Sequence, residues 1–444
     1  MWLQSTATKL WNRLQASSYW QDVAWLVSGT VVAQALTFLM LPIFTRLYGP
    51  SDFAVMNLFV QIVAMATVVA TVRYESFIQL PKRHSDGWRL MQLVGFLGMA
   101  FTVILTPVAW VFRETFARWA GEPALAKWLV FVPVTAALTS MASAFQAWEQ
   151  RRNRFRRSSE AEVAGKVGFA GSVLLGWWLV PGSAGLVLGS GLGAVLGKLA
   201  WLVRMDRLRL CGRVADFWRM ARQLGRLAGS LTVSQALLSI TGIIPMLVIA
   251  HAYGPEVLGQ YALANQSIYL PTALLGTAMG NVYYQRASVR WAQGHDFSDL
   301  WRSTSKRLFL VGVPIYGIAV VLLPIVFPII FGGTWIVAGR FAGILAISSF
   351  FGFVAAPIDK GCLVVGAWWY IPLWHGARTL SNVLLAWAVL VKGWRVETYL
   401  YALTALRAVM YGIDYWAESV FAFRRPPQTA PAEIVPPTLG MGDA

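Results

Sequence analysis

The sequence predicts an all-α polytopic membrane protein, with twelve transmembrane helices in two parallel-repeat six-helix bundles around a central cavity. Three observations carry this. First, 57% of the 444 residues are hydrophobic and only 13% are charged, with a mean hydropathy of +0.56. A soluble chain usually carries about twice that charged share. Second, the apolar residues gather in blocks of about 20, the length that crosses a hydrocarbon layer of roughly 30 Å. Third, the tripeptide Tyr48-Gly49-Pro50 returns as Tyr253-Gly254-Pro255, each time at the far end of an apolar block.

The elements follow in order. Residues 1–22 are polar to amphipathic and are assigned to the cytoplasm. The apolar run after them is too long for a signal-peptide core and has no small-residue cleavage pattern, so it is read as the first span. Spans are predicted at 23–45, 52–73, 90–112, 125–147, 163–180 and 184–203, which make the N-terminal bundle, 23–203. Residues 204–228 are basic. Phe217, Trp218, Ala221, Leu224 and Ala228 share a helical face there with Arg219, Arg222 and Arg226 around it, the pattern of a linker helix lying in the membrane interface. Spans at 229–250, 257–282, 308–331, 336–358, 368–390 and 397–420 make the C-terminal bundle, 229–423. Residues 424–444 are proline-rich and polar, and are expected to form a disordered cytoplasmic tail.

Lys and Arg set the orientation. With the N-terminus cytoplasmic, 27 of the 37 fall on the cytoplasmic side and 7 on the other, while Lys198, Arg378 and Arg407 lie within spans. That asymmetry places both ends of a multi-pass protein in the cytoplasm. A net charge of +17 would also suit nucleic acid, but the basic residues sit in loops between apolar blocks, so no nucleic-acid partner is expected.

Tyr-Gly-Pro recurs at an offset of 205, which also places Arg46 on His251 and Gln61 on Gln266. Proline in the first turn of a helix loses no hydrogen bond, and the glycine before it permits a tight reversal. Six is even, so two copies of a six-span unit face the same way, and a substrate cavity is expected between them.

Several motifs have plain structural readings. Gly185, Gly189, Gly193 and Gly197 are spaced four apart in an apolar block, which suits close helix packing. They follow no strand, so they are not a dinucleotide fingerprint. Cys211 and Cys362 are far apart and make neither a disulfide framework nor a metal site. The four histidines are isolated and no catalytic motif appears, so neither an enzyme nor a bound metal or cofactor is expected.

Ionisable and amide groups at membrane depth are costly and face a cavity or a partner. Arg46, Arg73, Arg378, Arg407, Gln61, Gln266 and His251 are the substrate-binding candidates, and Glu75, Asp359 and Asp414 the ion-coupling candidates. Each also has a structural reading: Arg73 can pair with Glu75, and Arg407 with Asp414 or Glu418. Arginine predominates at depth, and its planar fork of donors suits phosphate or another anion.

The segments LPIFTRLYGPSDFAVMNLFVQ, VRYESFIQLPK and HAYGPEVLGQYALANQSIYLP resemble the Wzx-type polysaccharide flippases of the multidrug/oligosaccharidyl-lipid/polysaccharide exporter superfamily. The resemblance covers about residues 23–423. It implies two six-helix bundles that alternate between inward-open and outward-open states. It implies flipping of an undecaprenyl-pyrophosphate-linked oligosaccharide repeat unit to the periplasmic leaflet for surface polysaccharide assembly, beside a polymerase and a chain-length regulator. Arg46, Arg73, Arg378 and Arg407 would then meet the anionic lipid-sugar. Two alternatives stay open: a cation-coupled multidrug exporter of the same superfamily, and a membrane glycan polymerase or ligase. The last would need a large outer loop, which the sequence does not supply.

Overall fold

A computed structural model describes residues 28–81, 83–180, 182–203 and 214–425. The amphipathic stretch 1–22, the linker up to residue 213 with Cys211, the side chains of Phe217 and Trp218, and the tail beyond Arg425 lie outside the described residues. Among the described residues there is no strand. The first half comprises α1 (Ser28–Leu47), α2 (Pro50–Ala70), α3 (His84–Trp119), α4 (Val132–Arg151), α5 (Phe155–Leu179) and α6 (Ala184–Val203). The second half begins with α7 (Val214–Tyr253). α8 follows as Pro255–Pro271 and Thr277–Ala292, joined through a π-helical turn at Thr272–Gly276. Then come α9 (Ser298–Phe331), α10 (Ile336–Ala355), α11 (Tyr370–Lys392) and α12 (Val396–Ala422). Each of these helices overlaps one predicted span.

Seven described helices are long and apolar enough to cross a membrane alone, and an eighth counts if Pro123–Leu129 and Val132–Arg151, bent by 57°, form one span. α5, α8, α11 and α12 are not among them, and α5 and α12 carry several charged residues. On α5, Glu162 receives Lys198 Nζ of α6 at 2.6 Å and Gln146 Nε2 of α4 at 2.9 Å. Lys198 is therefore a structural partner within the first half.

The glycine stripe on α6 packs as its spacing predicts. A Cβ on Gly197 would lie 2.6 Å from the Ala164 carbonyl oxygen and 3.2 Å from Gly168 Cα, both on α5. One on Gly193 would lie 2.9 Å from the Gly168 carbonyl oxygen. Lipid offers no hydrophobic drive for helix association, so this close backbone approach and its dispersion contacts must supply it.

The two Tyr-Gly-Pro turns are built alike but not identically. Pro50 and Pro255 stand in the first turn of α2 and α8. Gly254 has φ +86°, where only glycine is comfortable, whereas Gly49 sits at φ −82° and donates its N–H to Asp52 Oδ2 at 3.2 Å. The left-handed freedom is thus used in the second copy alone. Each tyrosine hydroxyl ties its turn to its own half: Tyr48 donates to the Val173 carbonyl and Tyr253 to the Trp394 carbonyl, both at 2.8 Å.

The halves meet closely at the end bearing these turns. The absent side chain of Gly259 on α8 leaves room for the backbone carbonyl of Pro50 on α2. Trp335, fully buried before α10, donates from Nε1 to the Thr45 carbonyl at 3.0 Å, and Phe53 packs edge-on against its ring. Nearer the other end Tyr74 donates to the Ala221 carbonyl of α7 at 2.9 Å. Residues 214–228, where a separate interfacial helix is expected, continue unbroken into α7.

Candidate functional site

The ten candidate side chains do not form one group. Asp359, Arg378, Arg407 and Asp414 line a single polar cavity of about 610 Å³. All of its lining residues belong to the second half, on α7, α8, α10, α11 and α12 and the turn after α10. This cavity lies within the second half, where Ser348, Ser349 and Gly352 keep the α10 wall small and polar.

Arg407 is the most committed of the four. Its Nη2 donates to the Tyr261 hydroxyl at 3.1 Å and its Nη1 to Asn265 Oδ1 at 3.4 Å, both on α8. These partners are neutral, so the structure does not realise the suggested pairing with Asp414 or Glu418. Asp414 instead accepts a hydrogen bond from the Tyr370 hydroxyl at 2.8 Å. Glu418 accepts from the Cys362 backbone N–H at 3.2 Å. Arg378 lies over the face of Tyr411, 5.2 Å from the ring centroid, in a cation–π contact. Asp359 lies on the turn after α10, open to the cavity.

The remaining candidates serve elsewhere. Arg73 contacts Glu75 at 3.2 Å, and Glu75 also accepts from Thr71 Oγ1 at 2.6 Å. Val72 and Arg73 both adopt left-handed backbone, φ 49° and 58°, which is costly for a β-branched residue. Gln61 donates to the Ser239 carbonyl of α7 at 3.2 Å and so joins the halves. Arg46 is exposed at the end of α1 and reaches the Ile330 carbonyl at 3.5 Å. His251 and Gln266 are exposed.

An aromatic wall completes the cavity. Tyr370 and Trp374, one turn apart on α11, lie nearly parallel at 7° with centroids 6.1 Å apart. Tyr269 and Tyr411 line the opposite helices. Flat aromatic faces beside hydroxyls and amides suit polar rings such as sugars, which present C–H faces and O–H edges. The stretch AWWYIPLWH, 367–375, reads in sequence as an interfacial aromatic belt. Only its i, i+4 spacing marks Tyr370 and Trp374 as sharing a face.

This arrangement, polar groups held inside a bundle of membrane-length helices, defines a multi-pass membrane protein. The chain belongs to the family described as Polysaccharide biosynthesis protein, whose profile matches residues 43–339. A curated relative, the succinoglycan biosynthesis transport protein ExoT of Rhizobium meliloti (strain 1021), is 22% identical over 343 residues, 76% of this chain and 67% of its own. Among solved structures, an inward-facing multidrug resistance MATE family transporter matches with TM-score 0.65 and 14% identity, over 88% of this chain and 97% of that one. The lipid II flippase MurJ in its inward closed conformation matches with TM-score 0.66 and 13% identity, over 90% of this chain and 87% of that one.

Proposed function

We propose that this protein flips a lipid-linked oligosaccharide, carried on undecaprenyl pyrophosphate, from the cytoplasmic to the periplasmic leaflet of a bacterial inner membrane, for exopolysaccharide or another surface glycan. The observation that carries this is Arg407. A guanidinium bonded only to neutral groups, beside a second arginine and an aromatic wall, offers its spare donors to a phosphate while the sugars lie on the rings. A glycan head group cannot cross hydrocarbon unaided, because each unsatisfied polar group costs several kcal/mol. A polar cavity lowers that cost while the prenyl chain stays in lipid.

Both termini are cytoplasmic in this proposal, and the product passes to a polymerase and a chain-length regulator. In this reading polymerisation is carried out by a separate protein. Deleting the gene tests the reading. Lipid-linked repeat units are expected to accumulate on the cytoplasmic leaflet, and accumulation on the outer leaflet would contradict it.

A second reading has its own support. Asp359 and Asp414 line the same cavity and suit a coupling cation, as a multidrug exporter needs. Neutralising Arg378 and Arg407 together separates the two. A glycan flippase loses transport, whereas an exporter of cationic drugs keeps it.

A further inference from the structure

Several contacts hold the halves together at the end bearing the Tyr-Gly-Pro turns, which faces outward in the orientation proposed above. Pro50 against Gly259 and Trp335 against Thr45 are made by uncharged groups. Another is made by the turn after α3. Gly121 has φ +75°, and a Cβ on it would lie 3.0 Å from the Ala250 carbonyl carbon and 3.0 Å from the His251 nitrogen, both on α7. The turn is fixed to α3 by its own backbone. The Glu122 N–H donates to the Ala117 carbonyl at 3.0 Å and the Gly121 N–H to the Arg118 carbonyl at 3.1 Å, as in a helix that ends on a left-handed glycine. The turn therefore belongs to the first half and is seated on the second.

The residue next to this seat is ionisable. Glu122 is 5% exposed. Its Oε1 accepts the Ala124 N–H at 3.1 Å, while Oε2 is buried with no hydrogen-bond partner among the described residues. Ala117, Ala120 and Leu125, which flank it in the chain, share one core with Val248, Ile249 and Ala250 of α7. The charged groups on the surrounding elements are engaged elsewhere or face solvent. Arg118 bonds the Glu114 carbonyl at 3.4 Å, Lys127 lies over the Trp128 ring, Asp52 of α2 accepts from Gly49, and His251 of α7 is exposed. Among the described residues none of them pairs with Glu122.

A carboxylate held dry with one bare oxygen is costly, and protonation removes the charge. Burial accordingly raises the Glu122 carboxyl above its ordinary range. Lifting the turn off α7 admits water and lowers the cost of the charge. Glu122 thus binds its proton more tightly in the closed joint than in the parted one. The advantage this gives the closed joint is complete at low pH and is lost as pH rises from the ordinary carboxylate value through the raised one.

We infer that the outer joint is a pH-sensitive latch, in which Glu122 holds the halves together when protonated and favours their parting when ionised. This rests on the transport reading and adds to it a signal that biases which end of the protein is closed: acid on the outer side favours closure there.

The test is a distance measurement on the full chain in nanodiscs of a neutral phospholipid, without substrate. Cys211→Ala and Cys362→Ala remove the native thiols, and Ser51→Cys and Thr398→Cys carry spin labels at exposed positions on the outer ends of the two halves. Pulsed electron paramagnetic resonance gives the closed-to-open ratio at about pH 5 and about pH 8. The ratio is expected to be at least about threefold higher at the lower pH. Glu122→Gln should hold the low-pH ratio at both. His251→Gln should leave the response intact, because the imidazole also titrates in this window but is already exposed. A ratio that does not change with pH, a response that persists in Glu122→Gln, or its loss in His251→Gln would each overturn the inference. Amide exchange of residues 120–125 in the unsubstituted protein, corrected for its intrinsic pH dependence, needs no variant to fold. Protection there should fall from the lower pH to the higher, and equal protection would overturn the inference too. Failure of the flippase reading shows separately, as outer-leaflet accumulation in the deletion strain.

Discussion

Replacing Arg407 by methionine should abolish most glycan transport while leaving the protein folded. The guanidinium has five N–H donors, and two are spent on Tyr261 and Asn265. Three remain for a phosphate. Hydrogen bonds to charged groups contribute about 1.5–3 kcal/mol each, so a two-pronged contact supplies about 3 kcal/mol after allowing for non-additivity. Losing it slows flipping about 150-fold. The structural loss is smaller. Two hydrogen bonds from the charged guanidinium go, at about 1.5–3 kcal/mol each, but the desolvation cost of the buried cation, several kcal/mol, goes with them and offsets most of that loss, so melting should move by only a few degrees. Lysine at this position keeps the charge but cannot hold both Tyr261 and a phosphate fork, so about a tenfold loss is expected. Proteoliposomes loaded with fluorescent undecaprenyl-pyrophosphate glycan give the rate, and a thermal melt on the same samples gives the stability. Flipping by the methionine variant within about threefold of wild type, less than 1 kcal/mol, would refute a phosphate role for Arg407.

Three other substitutions probe the scaffold. Gly197→Leu drives a side chain into the Ala164 carbonyl of α5 and should cost at least the 1–3 kcal/mol of ordinary overpacking, visible as a lower melting temperature; an unchanged melt would deny the close α5–α6 approach. Glu75→Gln leaves Arg73 without its carboxylate and should destabilise by about 2 kcal/mol, and adding Arg73→Gln should restore part of that. If single and double variants melt alike, the pair is not coupled. Glu122, in the turn after α3, is buried with one hydrogen bond from Ala124, and that burial raises its carboxyl above the ordinary range. The folded state then holds its proton more tightly than the unfolded one. Stability contributed by the protonated form is complete at low pH and declines as pH rises from the ordinary carboxylate value through the raised one. Glu122→Gln should therefore gain on wild type as pH rises over that window, and a constant difference in melting temperature would dismiss the burial effect.

The helices were legible in the sequence because lipid permits only helices or closed barrels as a spanning backbone, and apolar blocks of about 20 residues fit the helix. α7 was legible only in part. Its basic first turns read as an interfacial segment, yet charge at a helix end does not break the hydrogen-bond ladder, and nothing between Val214 and Tyr253 stops it except Pro245, which it accommodates. The cavity was half legible. Arg378, Arg407, Asp359 and Asp414 stand out because charge is costly at depth. The aromatics beside them do not, since an inward-facing tyrosine and a belt tyrosine look alike in sequence. Gln61 and Arg73 show the converse. Their cost at depth is met by Ser239 and Glu75; the sequence offers the Glu75 pairing, but no spacing rule supplies the contact with Ser239.

The interruption after α2 has a counterpart in the second half. Val72 and Arg73, with their left-handed backbone, fall on 277 and 278 at the repeat offset of 205, where α8 has just completed its π-helical turn at Thr272–Gly276. One copy stops its second helix at this level and the other inserts an extra residue and continues. The second helix of each bundle is thus a rod of the same length above that level, pinned to its twin at Pro50 and Gly259, whatever happens to the chain beneath. The joint thus falls at the same register in both halves, though the backbone is built differently in each.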